Sequence, residues 1–187
     1  MVLARLAPRR LSRHSWFMTG LAMNTRTLSD ADFAAPLDDR YFEDYTPGAV
    51  YEYGYLTVTE EEIVAFAEQF DPQPMHTDRA YAEAGPFGGL IASGWHSASL
   101  LMRLFAGHFL SRVASLASPG VDELRWAVPL RPGDTVRLRT TITGTRPSRS
   151  KPDRGLVITT AELLNQDDQC PVSMHPVNLL RRRSPAA

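Results

Sequence analysis

The chain has 187 residues, with 20 basic and 21 acidic side chains, 43% apolar residues and one cysteine. A chain this long buries roughly 70% of its unfolded surface, enough for one sizeable core. No run approaches 18 apolar residues and one cysteine cannot build an internal disulfide framework, so integral-membrane, disulfide-stapled, collagen-like and disordered classes are excluded. What remains is a soluble globular domain, expected in a reducing, cytoplasmic compartment.

Residues 1–29 carry Arg5, Arg9, Arg10, Arg13 and Arg26 and no acid. This basic leader is expected to lie outside the fold, as a disordered tail or a start called too early (Met18 and Met23 lie downstream), with targeting as a further alternative. Residues 30–187 are expected to form a single domain. Residues 30–83 hold fourteen acids against Arg40 and Arg79, whereas thirteen basic residues face seven acids from Arg103 onward. That segregation is compatible with an oriented field favouring an anionic ligand, or with solvated surface charge.

In chain order, Tyr51–Val58 alternates as a strand. Thr59 with Glu62 forms a capping box, and Ile63, Phe66, Ala67 and Phe70 define one apolar face of a three-turn helix that Pro72 ends. A short helix is predicted over Thr77–Ala84, stopped by Gly85-Pro86. A long apolar helix follows, over Trp95–Ala117. Strands are predicted at Val121–Val128, Thr135–Thr145, Leu156–Asn165 and Cys170–Leu180, the last three as an antiparallel meander. Within Thr135–Thr145, Val136, Leu138, Thr140 and Ile142 face one way and Arg137, Arg139 and Thr141 the other. The fold class is α+β, with the sheet wrapped round the long helix.

The densest polar constellation is Asp71-Pro-Gln-Pro-Met-His76-Thr-Asp78. Two prolines stiffen this loop, and a stiff loop can hold Asp71 and His76 in one geometry for acid–base work. The same residues also suit plainer jobs, Asp71 capping a helix end and His76 opening the next helix. Beyond it, Gly85-Pro-Phe-Gly-Gly-Leu-Ile-Ala-Ser-Gly94 leads into the apolar helix. Its glycines allow close backbone approach, and free N–H groups at a helix start favour negative charge; the loop could equally serve only to turn the chain. His96 and His108 could line a site or be satisfied core groups. His76, Asp78 and His96 are metal-ligand types. Arg146, Arg149, Lys151 and Arg154 gather in one loop and could touch phosphates. Arg181-Arg182-Arg183 lacks the aromatic-interleaved surface of a nucleic-acid site.

The run FAEQFDPQPMHTDRAYAEAGPFGGLIASGWHSASLLMRL resembles the hydratase motif of MaoC-like dehydratases and (R)-specific enoyl-CoA hydratases, and GVDELRWAVPLRPGDTV and NLLRRR are similar to that family's later segments. The resemblance covers about Asp38 to Arg183. It implies a hot-dog fold, a curved antiparallel sheet round a long central helix, and usually a homodimer. It implies a hydro-lyase that reversibly hydrates a trans-2-enoyl thioester, with CoA as part of the substrate, no separate cofactor, no metal, and neither nucleic-acid nor membrane partners. Hot-dog thioesterases and non-catalytic acyl-CoA binders share the scaffold. By position, Asp71 and His76 would be catalytic, and the Gly94 N–H would accept the thioester oxygen. Gly89, Ser93 and Gln73 join the expected substrate-binding set. Phe87, Leu100 and Leu104 are candidates for an acyl tunnel or for plain core. Gln73 stands where the family commonly has Asn. Met102 stands near where some members carry a serine that holds the aspartate; losing that hydrogen bond would loosen Asp71 or shift its pKa.

Overall fold

The computed structural model describes residues 27–28, 33 and 35–184. Six strands, β1 (Thr27–Leu28), β2 (Val50–Thr57), β3 (Ser115–Trp126), β4 (Thr135–Pro147), β5 (Arg154–Leu164) and β6 (Val172–Arg181), form one sheet in the order β1-β2-β4-β5-β6-β3. The pairings are antiparallel except that of the two-residue β1 with β2. Apart from those two residues, the expected leader lies outside the described residues.

Four helices connect β2 to β3: α1 (Glu60–Phe70), α2 (Pro74–Thr77), α3 (Arg79–Ala84) and the central α4 (Gly94–Leu104). This is the sheet-round-helix arrangement that the hot-dog resemblance implies. Leu101, Leu104, Phe105 and Phe109 press against Val136, Leu138, Ile142, Val157, Ala161 and Leu163 in one buried cluster. The inward alternation of β4 follows its sequence, with Val136, Leu138, Thr140 and Ile142 all fully buried. Bulges bend the strands over the helix, one of them between Tyr53 and Leu56. Gly54 there has φ +56°, and a Cβ on it would stand 3.0 Å from Leu104 Cδ2, so glycine permits both the bend and the close approach of α4.

Several boundaries differ from expectation. The central helix ends at Leu104 rather than Ala117. A single wide turn follows, closed by Leu110 N–H to Phe105 O (3.0 Å), and the chain then leaves the helical region at Leu110. The carbonyls exposed there are taken from outside, by the buried Arg40 guanidinium on His108 O and Phe109 O and by the Tyr45 hydroxyl on Phe109 O. Burial raises the Tyr45 phenol well above its ordinary range, so it remains a donor. Ser111 Oγ then accepts from the Val113 and Ala114 N–H groups and turns the chain into β3.

The helix expected over Thr77–Ala84 is α3, starting at Arg79, and an unexpected one-turn helix, α2, precedes it over Pro74–Thr77. Asp78 leaves helical geometry and caps α3 by accepting from Tyr81 N–H (3.0 Å). On α1 the capping box forms, and Ile63 and Ala67 are buried, but Phe70, the last residue of the helix, is 63% exposed. Cys170 precedes β6 instead of lying within it.

Part of the charge segregation resolves into pairs. Because β2 lies beside β4, Glu52 meets Arg137 and Arg139. The turns at Leu37–Asp39 and Phe42–Asp44 lie against the end of β6, where Glu43 meets Arg182 and Asp39 and Asp44 meet Arg183. Some acids of the front half thus pair with arginines of the back half across elements.

Candidate active site

The site is assembled where α1 ends and α4 begins. Asp71 is the residue at which α1 stops, its N–H still bonded to Ala67 O (2.8 Å) while its own backbone is no longer helical. Pro72 forces that exit, and Gln73 N–H turns back onto Asp71 O (2.7 Å). Pro74 then opens α2 at a position where its missing N–H costs nothing. This one-turn helix carries His76, which is 5% exposed.

His76 Nδ1 lies 2.9 Å from the Ile91 carbonyl oxygen. A carbonyl only accepts, so Nδ1 carries the proton, and in the neutral ring Nε2 is the basic nitrogen. Nε2 is 3.5 Å from Asp71 Oδ2. The two thus present a carboxylate oxygen and an imidazole lone pair side by side, an arrangement into which one water can donate both hydrogens.

The Asp71 carboxylate is held at both oxygens. Ser93 Oγ–H donates to Oδ2 (2.6 Å) and Gln73 Nε2–H donates to Oδ1 (2.7 Å). Ser93 Oγ in turn accepts from Trp95 N–H (3.2 Å), so the positive end of α4 backs the carboxylate through one hydroxyl. The Ser93 and Gln73 bonds, aided by the neighbouring His76, hold the Asp71 carboxyl below the usual carboxylate range against the opposing effect of partial burial. Asp71 is therefore not loosened by Met102. That side chain is 41% exposed, and Ser93 supplies the hydroxyl.

His76, Ile91, Ala92, Gly94, Trp126 and Leu130 are among the walls of a cavity of about 230 Å³. Gly94 is the first residue of α4, where its N–H has no partner within the helix. The Trp126 indole lies across it, donating Nε1–H to Gly94 O (2.7 Å), and a Cβ on Gly94 would come within 2.8 Å of the ring. Glycine is required here by contact, not by backbone angle.

Asp71, Gln73, His76, Ser93 and Gly94 thus come together, His76 and Gly94 on the cavity wall and Asp71, with Gln73 and Ser93 bonded to it, next to His76 but not itself among the lining residues. Gly89 does not line this cavity; it lies on two neighbouring ones, one of them with Arg79 and Arg131. Phe87 does line it, while Leu100 and Leu104 belong to the core. His96 stacks on Phe66 at 4.8 Å, and burial lowers its pKa despite the nearby Glu62. His108 stacks on Tyr53. Asp78 is committed to capping α3, and among the described residues no group of three or more His, Cys, Asp or Glu is gathered for a metal. Arg146, Arg149, Lys151 and Arg154 lie around the β4–β5 hairpin, at the opposite end of the 13-residue β4 from the turn that follows Leu130. The arginines at 182 and 183 are engaged by acids of their own chain.

Two contributors escaped the sequence reading: the Ile91 carbonyl that sets the His76 tautomer, and Trp126 over Gly94. The Ser93 role had a local signal, since a serine directly before a helix is a preferred N-cap. The Trp126 contact, 32 residues away along the chain, had none.

A curved sheet round a central helix, with an Asp–His pair beside that helix's N-terminus, defines the hot-dog class of hydratases and dehydratases. The family model described as "MaoC like domain" matches residues 44–163, and the chain belongs to that family. It is 32% identical over 111 residues to 3-hydroxyacyl-thioester dehydratase Z of Mycobacterium tuberculosis, covering 58% of this chain and 74% of the relative. It is 32% identical over 116 residues to the (R)-specific enoyl-CoA hydratase of Rhodospirillum rubrum, with the same two coverages. The crystal structure of a MaoC-like dehydratase from Rhodospirillum rubrum is similar with a TM-score of 0.71 at 35% identity, covering 78% of this chain and 99% of that one. Among the described residues no helix is long and apolar enough to cross a membrane.

Proposed function

We propose that the protein is a hydro-lyase that reversibly adds water to a trans-2-enoyl thioester, with CoA as the carrier, to give a 3-hydroxyacyl thioester. The observation that carries this reading is the 3.5 Å approach of His76 Nε2 to Asp71 Oδ2, with Nδ1 tied to a carbonyl. Asp71, anionic at neutral pH, holds one hydrogen of the water. His76 Nε2 takes the other as the water oxygen bonds to C3. Electron density then moves from the C2–C3 double bond onto the thioester oxygen, which lies against the Gly94 N–H at the positive end of α4. As that enolate collapses, the imidazolium returns its proton to C2. One water is consumed and the general base is regenerated. The part of the cavity built by Ile91, Ala92 and Leu130 gives the acyl group an apolar wall.

The test is the absorbance of crotonyl-CoA with purified protein, with a thiol reagent in parallel. Loss of the conjugated enoyl band without thiol release is expected. Thiol release would make the protein a thioesterase, and binding without either signal would make it a non-catalytic acyl-CoA protein. A homodimer is also expected, paired through β3, an edge strand that leaves Val121 and Trp126 each 46% exposed. Sedimentation at a single-chain mass would remove that part of the proposal.

A further inference from the structure

The Asp71 carboxylate and the Ser93 hydroxyl that holds it belong to different helices. Asp71 is the residue at which α1 stops, Ser93 is the cap on which α4 starts, and they meet at 2.6 Å. A hydrogen bond of that length is lost if the two helix ends part by about 1 Å. Phe66 precedes Asp71 by five residues and His96 follows Ser93 by three. Their rings are stacked, with centroids 4.8 Å apart and planes 12° from parallel, and Phe66 is backed by Phe70 at 4.9 Å. The His96 imidazole brings nothing else to this contact. It is 6% exposed, its Nδ1 is buried without a hydrogen-bond partner, and Nε2 makes no hydrogen bond among the described residues. Burial lowers its pKa in spite of the nearby Glu62, so the ring is uncharged at neutral pH. Glu62 is itself engaged by the Thr59 N–H in the capping box of α1. What His96 offers Phe66 is therefore the flat face of a neutral ring.

We propose that His96 is a positioning residue, whose ring, stacked on Phe66, sets the spacing of α1 and α4 at which the Ser93 hydroxyl reaches Asp71. Neither His96 nor Phe66 lines the reaction cavity, so they act on the site only through the helices that carry them. Without the stack, the end of α1 is free to move off the start of α4. Ser93 then keeps the Trp95 N–H, while the carboxylate loses its donor on Oδ2 and retains Gln73 on Oδ1. The result is an aspartate still ionised at neutral pH but poorly aimed at the water beside His76. The consequence for turnover rests on the hydratase reading above; the placing of the carboxylate does not.

The experiment is an NMR titration of the Asp71 side-chain carboxyl, its resonance identified by its absence in Asp71→Asn. In His96→Ala, the Asp71 pKa is expected to move up toward its ordinary value, as in Ser93→Ala. Phe66→Ala, which removes the stack from the other helix, should do the same. His96→Phe, which keeps a flat ring, should titrate as the wild type. The double variant Ser93→Ala/His96→Ala should titrate as Ser93→Ala alone, because the bond that the stack serves is already gone. Turnover of crotonyl-CoA in His96→Ala should fall by at least about tenfold with KM near wild type, and by nothing further in the Ser93→Ala background. Melting temperatures check that each variant is folded. A residue that only stabilised the fold would lower the melting temperature and leave the Asp71 titration in place. An Asp71 titration unmoved in either folded ring variant overturns the proposal, as does a further rise in the double variant or a His96→Phe that titrates like His96→Ala. Because the titration needs no turnover, the two readings fail separately. Crotonyl-CoA hydration with an unmoved titration removes the positioning role alone, and a moved titration without hydration removes the hydratase alone.

Discussion

Ser93 joins two jobs that are usually separate. Its hydroxyl accepts from Trp95 N–H as the N-cap of α4 and donates to Asp71 Oδ2. Ser93→Ala is expected to cost about 1 kcal/mol of stability through the lost cap. It also removes the largest cause of the lowered Asp71 pKa, which then rises toward its ordinary value. The sign follows from the direction. A carboxyl depressed in the folded state stabilises the fold above its unfolded pKa, and that contribution is lost as pH falls through the lower folded value. In the wild type Asp71 therefore stays ionised below the usual carboxylate range, and in Ser93→Ala it protonates at higher pH. The acid limb of the pH–rate profile for enoyl-CoA hydration should move upward; an unmoved limb would mean that Asp71 ionisation does not limit the rate. Asp71→Asn and His76→Ala should each lower turnover by about 10² or more with melting temperature near wild type, and a rate close to wild type in either would remove that residue from the mechanism.

The meeting of α4 with β3 rests on Gly94 and Trp126. The indole covers the first turn of the helix and hydrogen bonds the Gly94 carbonyl, leaving no room for a Cβ. Gly94→Ala is expected to force the ring away, lowering stability by about 1–3 kcal/mol as overpacking does, and, on the proposed mechanism, to weaken hydration because the N–H proposed to bind the thioester oxygen shifts with the turn. Trp126→Phe in the same background shortens the ring system and should restore part of the melting temperature. If Gly94→Ala melts and turns over like the wild type, the contact is not restrictive. The same pair explains why the glycine before a helix can look like simple loop punctuation in sequence. Its neighbour comes from another element.

At the scale of the molecule, Arg40 fastens the N-terminal segment to the end of the central helix. It is 1% exposed, donates to Ala35 O, His108 O and Phe109 O, and lies 3.5 Å from the centre of the Phe33 ring. The buried cation is matched by carbonyl dipoles at a helix terminus, where positive charge is favourable. Arg40→Met keeps much of the apolar stem and strands those carbonyls. It is expected to cost about 2–4 kcal/mol, a fall of roughly 5–15 °C in melting temperature. An unchanged melting temperature would show that water or other donors satisfy the same groups.

Much of this was legible in the chain itself, and it was the local part. The alternation of β4, the capping box of α1, the meander of β4, β5 and β6, and the close spacing of Asp71 and His76 on a proline-stiffened loop all arise from periodicity and from residues within a few positions of one another. The motif carried the family for the same reason. What needed the folded molecule was every contact between distant segments. The helical region ends at Leu110, where Arg40, some 70 residues earlier, takes the carbonyls of His108 and Phe109. Phe70, apolar and on the right face, is exposed at the last residue of α1. Glu52 meets two arginines of the back half because β2 lies beside β4, and His76 holds its proton on Nδ1 because Ile91 happens to present a carbonyl. Local chemistry decides which conformation a segment prefers. Packing decides which of its groups meet, and the reactivity of the Asp–His pair depends on those meetings.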